Sequence, residues 1–205
     1  MRTLLRIDSS FSGDLSFSRQ ATDHYEHLWK RNNPNGRVIY RDLALSQLPH
    51  LTREVYEAFN DPKAGIQQLA MSNELIAELE KADEILISSP VYNFAVPSTL
   101  KAYIDHILRI DRTFAYDPST YTRKGLLENT SATIIVARGG LPVNGKSPDG
   151  VETYLEGILK FIGVEQLTRF SIHGTTYSGS EESLSKSKRL IENHFKQYDA
   201  ERTEV

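Results

Sequence analysis

Apolar positions along this chain follow two alternating patterns. Short apolar runs occupy 3–7, 37–41, 84–88, 133–137 and 167–172, as expected of buried strands. Between them the spacing becomes helical. Phe17, Ala21, Tyr25 and Leu28 form one stripe, and Leu69, Leu75, Ile76 and Leu79 form a second that ends at Ala82. Leu100, Ile104, Ile107 and Leu108 make a third. Leu155, Leu159 and Ile162 make a fourth, which Gly163 suits as a helix C-cap. Leu184, Ile191, Phe195 and Tyr198 mark a C-terminal helix with a charged outer face. Such alternation predicts a doubly wound α/β fold: a five-stranded parallel sheet with helices on both faces, in a single domain over 1–205.

Two stretches exceed ordinary connections. Residues 44–62 have room for a short helix around 53–59. Residues 111–131 are polar yet carry Phe114, Tyr116 and Tyr121. Loops of that length usually serve function or are covered by a partner. The three aromatics fit either packing on their own subunit or lining a slot beside a partner's site.

Composition narrows the function classes. The 205 residues carry a net charge of −3, with 39% apolar and 25% charged residues. That balance gives no electrostatic footprint for nucleic acid or an anionic membrane. Cysteine is absent, so thiol nucleophiles, thiolate metal sites and disulfides are excluded, and redox chemistry requires a bound cofactor. Arg6 and Asp8 interrupt the first apolar run, which argues against a signal peptide, and no run approaches a membrane span. A cytoplasmic protein is the expectation.

In sheets of this kind, ligands bind at the carboxyl ends of the strands. After the first strand, 8–18 hold five serines and Gly13 just before a helix. Hydroxyls and free amides at a helix N-terminus suit a terminal phosphate, and an ordinary Ser cap explains the segment equally well. Neither a dinucleotide fingerprint nor a Walker A motif is present. After the third strand come Pro90, Val91, Tyr92, Asn93 and Phe94, with Pro97 or Ser98 suited to a helix start. Two aromatics flanking an amide can hold a flat conjugated ring, or simply pack beneath the loop. After the fourth strand, Ala137 and Arg138 lead into Gly139 and Gly140, a pair that lets a ligand approach the backbone or makes a plain turn. Three such segments at successive strand ends outweigh any one of them.

Pro90 to Lys101, continuing to Ile104-Asp105-His106, resembles the FMN-dependent NADH-azoreductase family, flavodoxin-like enzymes also described as NADH:quinone oxidoreductases. Thr113-Phe114-Ala115-Tyr116, Gly125-Leu126, Arg138-Gly139-Gly140, Tyr154-Leu155 and Phe161-Ile162-Gly163 extend the resemblance, as do Ser10 and Ser16-Phe17-Ser18. It implies strand order 2-1-3-4-5, bound FMN and a homodimer with sites at the interface. Ser10, Ser16, Phe17 and Ser18 would hold the ribityl phosphate. Pro90 to Phe94 and Ala137 to Gly140 would hold the isoalloxazine ring. Val91 stands where the family often has Met, and Ala137 where Ser is expected.

The implied activity passes hydride from NADH through flavin N5 to quinones, and by a related route cleaves aromatic azo compounds, in a ping-pong cycle. NADPH as reductant is left open. No catalytic acid and no metal site are assigned. The alternative is a flavodoxin-type electron carrier without its own nicotinamide turnover; a phosphate-binding regulatory module and a serine hydrolase are weaker readings, the latter for want of a base and of a nucleophile elbow. His24 and His27 read as a solvated helix face. Asp105 and His106, adjacent on a helix, point apart and make a poor catalytic pair. His173, just past the fifth strand, is near the right sheet edge to reach the site. Arg138 suits a structural ion pair as readily as a ligand.

Overall fold

The computed structural model describes residues 1–46, 48–61 and 65–203, with side chains to residue 197. Pro62, at the end of the expected 44–62 stretch, and the Tyr198 side chain therefore lie outside the described residues. In chain order the elements are β1 (Thr3–Asp8), α1 (Phe17–Asn32), β2 (Arg37–Asp42), α2 (Arg53–Asn60), α3 (Ala70–Leu79), β3 (Glu84–Pro90), α4 (Ser98–Ile107), β4 (Phe114–Tyr116), β5 (Arg123–Gly125), β6 (Ser131–Ala137), α5 (Val151–Phe161), β7 (Gln166–Ile172) and α6 (Ser180–Thr203). β1, β2, β3, β6 and β7 form a parallel sheet in the order β2-β1-β3-β6-β7. Counting those five strands alone, this is the expected 2-1-3-4-5.

Strand alternation sorts the core into two layers. Leu5, Ile7, Ile85, Ile87, Ile134 and Val136 face one side and pack with Leu75, Ile76, Tyr103, Ile104 and Leu155, from α3, α4 and α5. Leu4, Leu86, Ile135 and Ile172 face the other and meet Ala21, Tyr25 and Trp29 of α1 and Leu184, Ile191 and Phe195 of α6. The register carries this across the sheet: Ile7 lies beside Ile87, and Ile87 beside Ile134. The buried stripe of α1 runs Ala21, Tyr25, Trp29, so Trp29 rather than Leu28 completes it. Burying large side chains such as these contributes about 1.5–3 kcal/mol each.

The long 111–131 stretch holds an addition to the expected plan, an antiparallel hairpin of β4 and β5. It is tied to the body by close backbone contact. A Cβ on Gly125 would fall 2.1 Å from the Gly163 amide nitrogen, and Gly163 itself takes φ +107° just past α5. Leu127 donates its amide to the Ile162 carbonyl at 2.8 Å beside this contact.

Candidate active site

The carboxyl ends of β1, β3 and β6 bring all three candidate loops to one edge. β1 ends on Asp8, and Ser9 and Ser10 follow fully buried. Ser9 donates both its amide and its hydroxyl to the Ser88 carbonyl, which pins the loop to β3. Phe11 then turns out to solvent, and a short turn over Gly13–Leu15 leads to Ser16. Ser16 is the N-cap of α1: its Oγ accepts from the Arg19 amide at 3.3 Å and lies 3.1 Å from Ser18 Oγ. Amides in the first turn of a helix have no intrahelical acceptor, so this end of α1 attracts anions. Phe17 is half-buried and packs against the α1–α6 layer of the core.

The β3 loop closes on itself. Tyr92 and Ala95 exchange both amide-to-carbonyl bonds at 3.0 Å, around Asn93 (φ +50°) and Phe94 (φ +65°). Two consecutive non-glycine residues in the left-handed region are strained, at about 1–3 kcal/mol each. That strain leaves Phe94 75% exposed at the tip. Val91 donates to the Ala137 carbonyl at 2.8 Å, tying the loop to β6. Tyr92 reaches back to the serine loop: its hydroxyl lies 3.2 Å from Ser10 Oγ and 3.4 Å from Ser12 Oγ, and its ring stacks on Phe11 at 4.4 Å. A cavity of about 560 Å³ opens here, lined by Ser9, Phe11, Tyr92, Asn93, Pro97 and Lys101 among others.

The third loop is held from behind by the chain after β7. The carbonyls of Arg138, Gly139 and Gly140 accept from Thr175 N, Thr176 Oγ1 and Gly174 N at 2.9–3.1 Å. A Cβ on Gly139 would sit 2.9 Å from Thr176 Cγ2, whereas one on Gly140 meets only open space. The Arg138 side chain turns into the protein. It donates to Asp149 at 2.8 Å and to Glu152, and lies 3.5 Å from His173 Nδ1. Burial opposes ionisation of both acids, yet the hydrogen bonds from Arg138 hold Asp149 and Glu152 below the usual carboxylate range. So Arg138 contributes its backbone to this edge and its charge to an ion-pair cage. His173 goes with it: burial, then the Arg138 charge, lowers its pKa, and its ring lines a groove beside α6 rather than the Tyr92 cavity.

The other flagged residues disperse. Asp105 pairs with Lys101, and His106 is buried with Nε2 2.9 Å from the Pro49 carbonyl. His24 Nε2 lies 3.1 Å from Glu192 of α6, and His27 is exposed. Phe114 packs on Phe161 of its own chain at 4.7 Å, while Tyr121 is 81% exposed on the hairpin.

Arg19, Phe11 and Ser12 join this edge without having been singled out by sequence. The signal for Arg19 was a cation in the first turn of a helix, where the helix dipole disfavours it. Beneath the serine loop, burial raises the Asp8 carboxyl pKa against the pull of Arg6 and Arg19, and Asp8 Oδ1 has no partner among the described residues.

A family described as having the flavodoxin-like fold matches residues 2–195. A Marinomonas sp. protein named FMN-dependent NADH:quinone oxidoreductase is 40% identical over 201 residues, covering 93% of this chain and 98% of the relative. A Cellvibrio japonicus protein of the same name is 36% identical over 197 residues, covering 94% and 98%. Among solved structures, an azoreductase from Bacillus anthracis superposes with a TM-score of 0.85 at 20% identity, covering 96% of this chain and all of that one. A Bacillus anthracis FMN-dependent NADH-azoreductase in complex with FMN gives a TM-score of 0.82 at 22% identity, covering 97% and 99%. With the serine loop, the Tyr92–Phe94 turn and the paired glycines on one sheet edge, the chain belongs to the flavodoxin-like family, in its group of FMN-dependent NADH:quinone oxidoreductases.

Proposed function

We propose that this chain binds FMN across the three loops and passes reducing equivalents from NADH to quinones, with azo compounds reduced as a related activity. The observation that carries this reading is the Tyr92 hydroxyl 3.2 Å from Ser10 Oγ, which joins the anion-suited serine loop to the aromatic loop at one cavity. The donor chemistry fits the cofactor. Hydroxyls of Ser10, Ser16 and Ser18 and the amides opening α1 suit a phosphate. Val91 to Phe94 and the backbone of Ala137 to Gly140 suit a flat ring, with Gly140 open to close approach.

When bound, FMN supplies two-electron hydride chemistry, and the protein supplies binding, orientation and electrostatics. Asn93 and Phe94 are held at the edge by the strained turn, and the Gly139–Gly140 backbone is fixed from behind by Gly174 to Thr176. Exposed Phe94, Tyr116 and Tyr121 support a homodimer in which the hairpin of one subunit borders the other's site. The reading is of a single FMN-binding domain over 1–205. Among the described residues no helix is long and apolar enough to cross a membrane, and a pyridine-nucleotide reductant suits the cytoplasm.

An anaerobic absorption spectrum of the FMN-reconstituted chain tests the reading. Flavin bands that bleach with NADH and return with benzoquinone are the expected result. Flavin that binds yet stays oxidised with NADH and NADPH would turn the reading to an electron carrier, and a chain that takes up no flavin would end it.

A further inference from the structure

Arg19 is the third residue of α1, and its side chain is 10% exposed. All of its donors turn inward. Nε and Nη2 donate to the Ser10 carbonyl at 3.0 and 2.7 Å. Nη1 and Nη2 donate to the two oxygens of Asp42 at 2.7 Å each, and Nη1 also donates to the Tyr40 hydroxyl at 3.0 Å. Asp42 in turn accepts from the Ala44 amide at 2.9 Å. The guanidinium thus clasps three segments: the end of β1, the end of β2 and the start of α1.

The clasp determines what Ser10 has left to offer. With its carbonyl committed to Arg19, its hydroxyl faces the Ser12 amide at 3.3 Å and the Tyr92 hydroxyl at 3.2 Å. We infer that Arg19, held by Asp42, is a positioning residue for the serine loop: it acts on a bound phosphomonoester through Ser10 and does not touch the phosphate. This rests on the FMN reading above and deepens it. A bidentate fork fixed on a carboxylate is pre-organised, and turning it out toward an anion would leave a half-buried Asp42 without its cation. Asp8 also lies within ion-pair distance, its Oδ2 3.5 Å from Arg19 Nη1, but Arg6 holds that same oxygen closer, with donors at 3.0 and 2.7 Å.

Two explanations predict opposite signs for one substitution. If Arg19 met the phosphate directly, Asp42→Asn would free a cation and remove an anion near the site, and FMN would bind more tightly. If Arg19 positions Ser10, the same change loosens the clasp and FMN binds more weakly. The experiment measures dissociation constants of FMN and of riboflavin, which lacks the phosphate, for the flavin-free full chain, Asp42→Asn and Arg19→Met. Both variants are expected to weaken FMN about tenfold, the size of losing one hydrogen bond to a charged group, and to leave riboflavin unchanged. Unchanged or tighter FMN binding by Asp42→Asn overturns the inference. Equal losses for FMN and riboflavin overturn it too, since they report general damage to the site. A native chain that binds neither flavin overturns the FMN reading itself and this inference with it.

Discussion

The two ends of the sheet spend their polar groups differently. At the amino end, Glu84 opens β3 almost fully buried, yet both its oxygens are used: Tyr25 donates at 2.5 Å and Trp29 at 2.9 Å. The adjoining groove, about 390 Å³, is lined in part by Arg2, Tyr25, Trp29, Glu84 and Thr133, which are bonded to one another. At the carboxyl end the hydroxyls of Ser10, Ser12 and Tyr92 meet each other and the Ser12 amide, Phe94 stands exposed on a strained turn, and Gly140 borders open space. A cavity alone does not separate the two ends. Polar groups satisfied internally mark the end that holds the fold together, and groups left with capacity mark the end we propose for the flavin.

The Arg138 cage sits at the ligand-facing end but belongs to the first type, and breaking it should give the largest effect. Arg138→Met leaves Asp149 and Glu152 buried without their cation, at a cost of about 3–5 kcal/mol, read from urea denaturation. Both carboxylates titrate below their ordinary values of 3.8 and 4.5 in the fold, so the cage's contribution is complete at neutral pH and fades as acid approaches their folded pKa values. The variant should therefore lose less stability on acidification than the parent. A denaturation midpoint equal to the parent's would show that the cage is solvated and does little.

Glu84→Gln should cost less, about 1–3 kcal/mol, because an amide keeps the shape but turns a donor toward Tyr25 or Trp29. Flavin affinity should be untouched. A parallel fall in flavin affinity would erase the distinction between the two ends. Ser10→Ala should do the reverse, lowering FMN affinity about tenfold with little change in the unfolding midpoint. Riboflavin binding serves as its control.

His173 offers a finer test. Burial and the Arg138 charge lower its folded pKa below 6.5, so the fold binds neutral imidazole. Its stabilising contribution is present above 6.5 and is lost as pH falls through the lowered value. His173→Gln should flatten the pH dependence of stability on the mildly acidic side of neutrality, and a slope unchanged by the substitution would sink this assignment. The smallest effect is expected at Phe94→Gly: relief of the positive φ should raise stability by up to about 1 kcal/mol while slowing quinone turnover. Lower stability would mean that the ring holds the turn rather than the reverse.

The main sheet was legible because each of its strands carries a short, mostly apolar run between amphipathic helices. The β4–β5 hairpin was not, since each strand has three residues, mostly exposed or half-exposed, without apolar alternation. The serine, aromatic and glycine loops could be placed at one sheet edge because each follows directly on a strand. The Arg138 cage and the Arg19 clasp could not. Asp149 and Glu152 lie 11 and 14 residues from Arg138, and Asp42 lies 23 from Arg19, at spacings set by the fold and not by a local motif. His173 was near enough in the chain to be considered, but the orientation of its ring depends on α6.

The contact between Gly125 and Gly163 gives the hairpin two zones of very different tolerance. At the root, no side chain of any size fits between the touching backbones, so replacing either glycine forces the hairpin off the body. At the tip, Asp117 keeps its own turn through Ser119 and Thr120, and Tyr121 projects free of the domain. A library that varied 118–122 while fixing both glycines would exchange the exposed surface of the tip without disturbing the scaffold. The root would act as a socket and the tip as an interchangeable tool head.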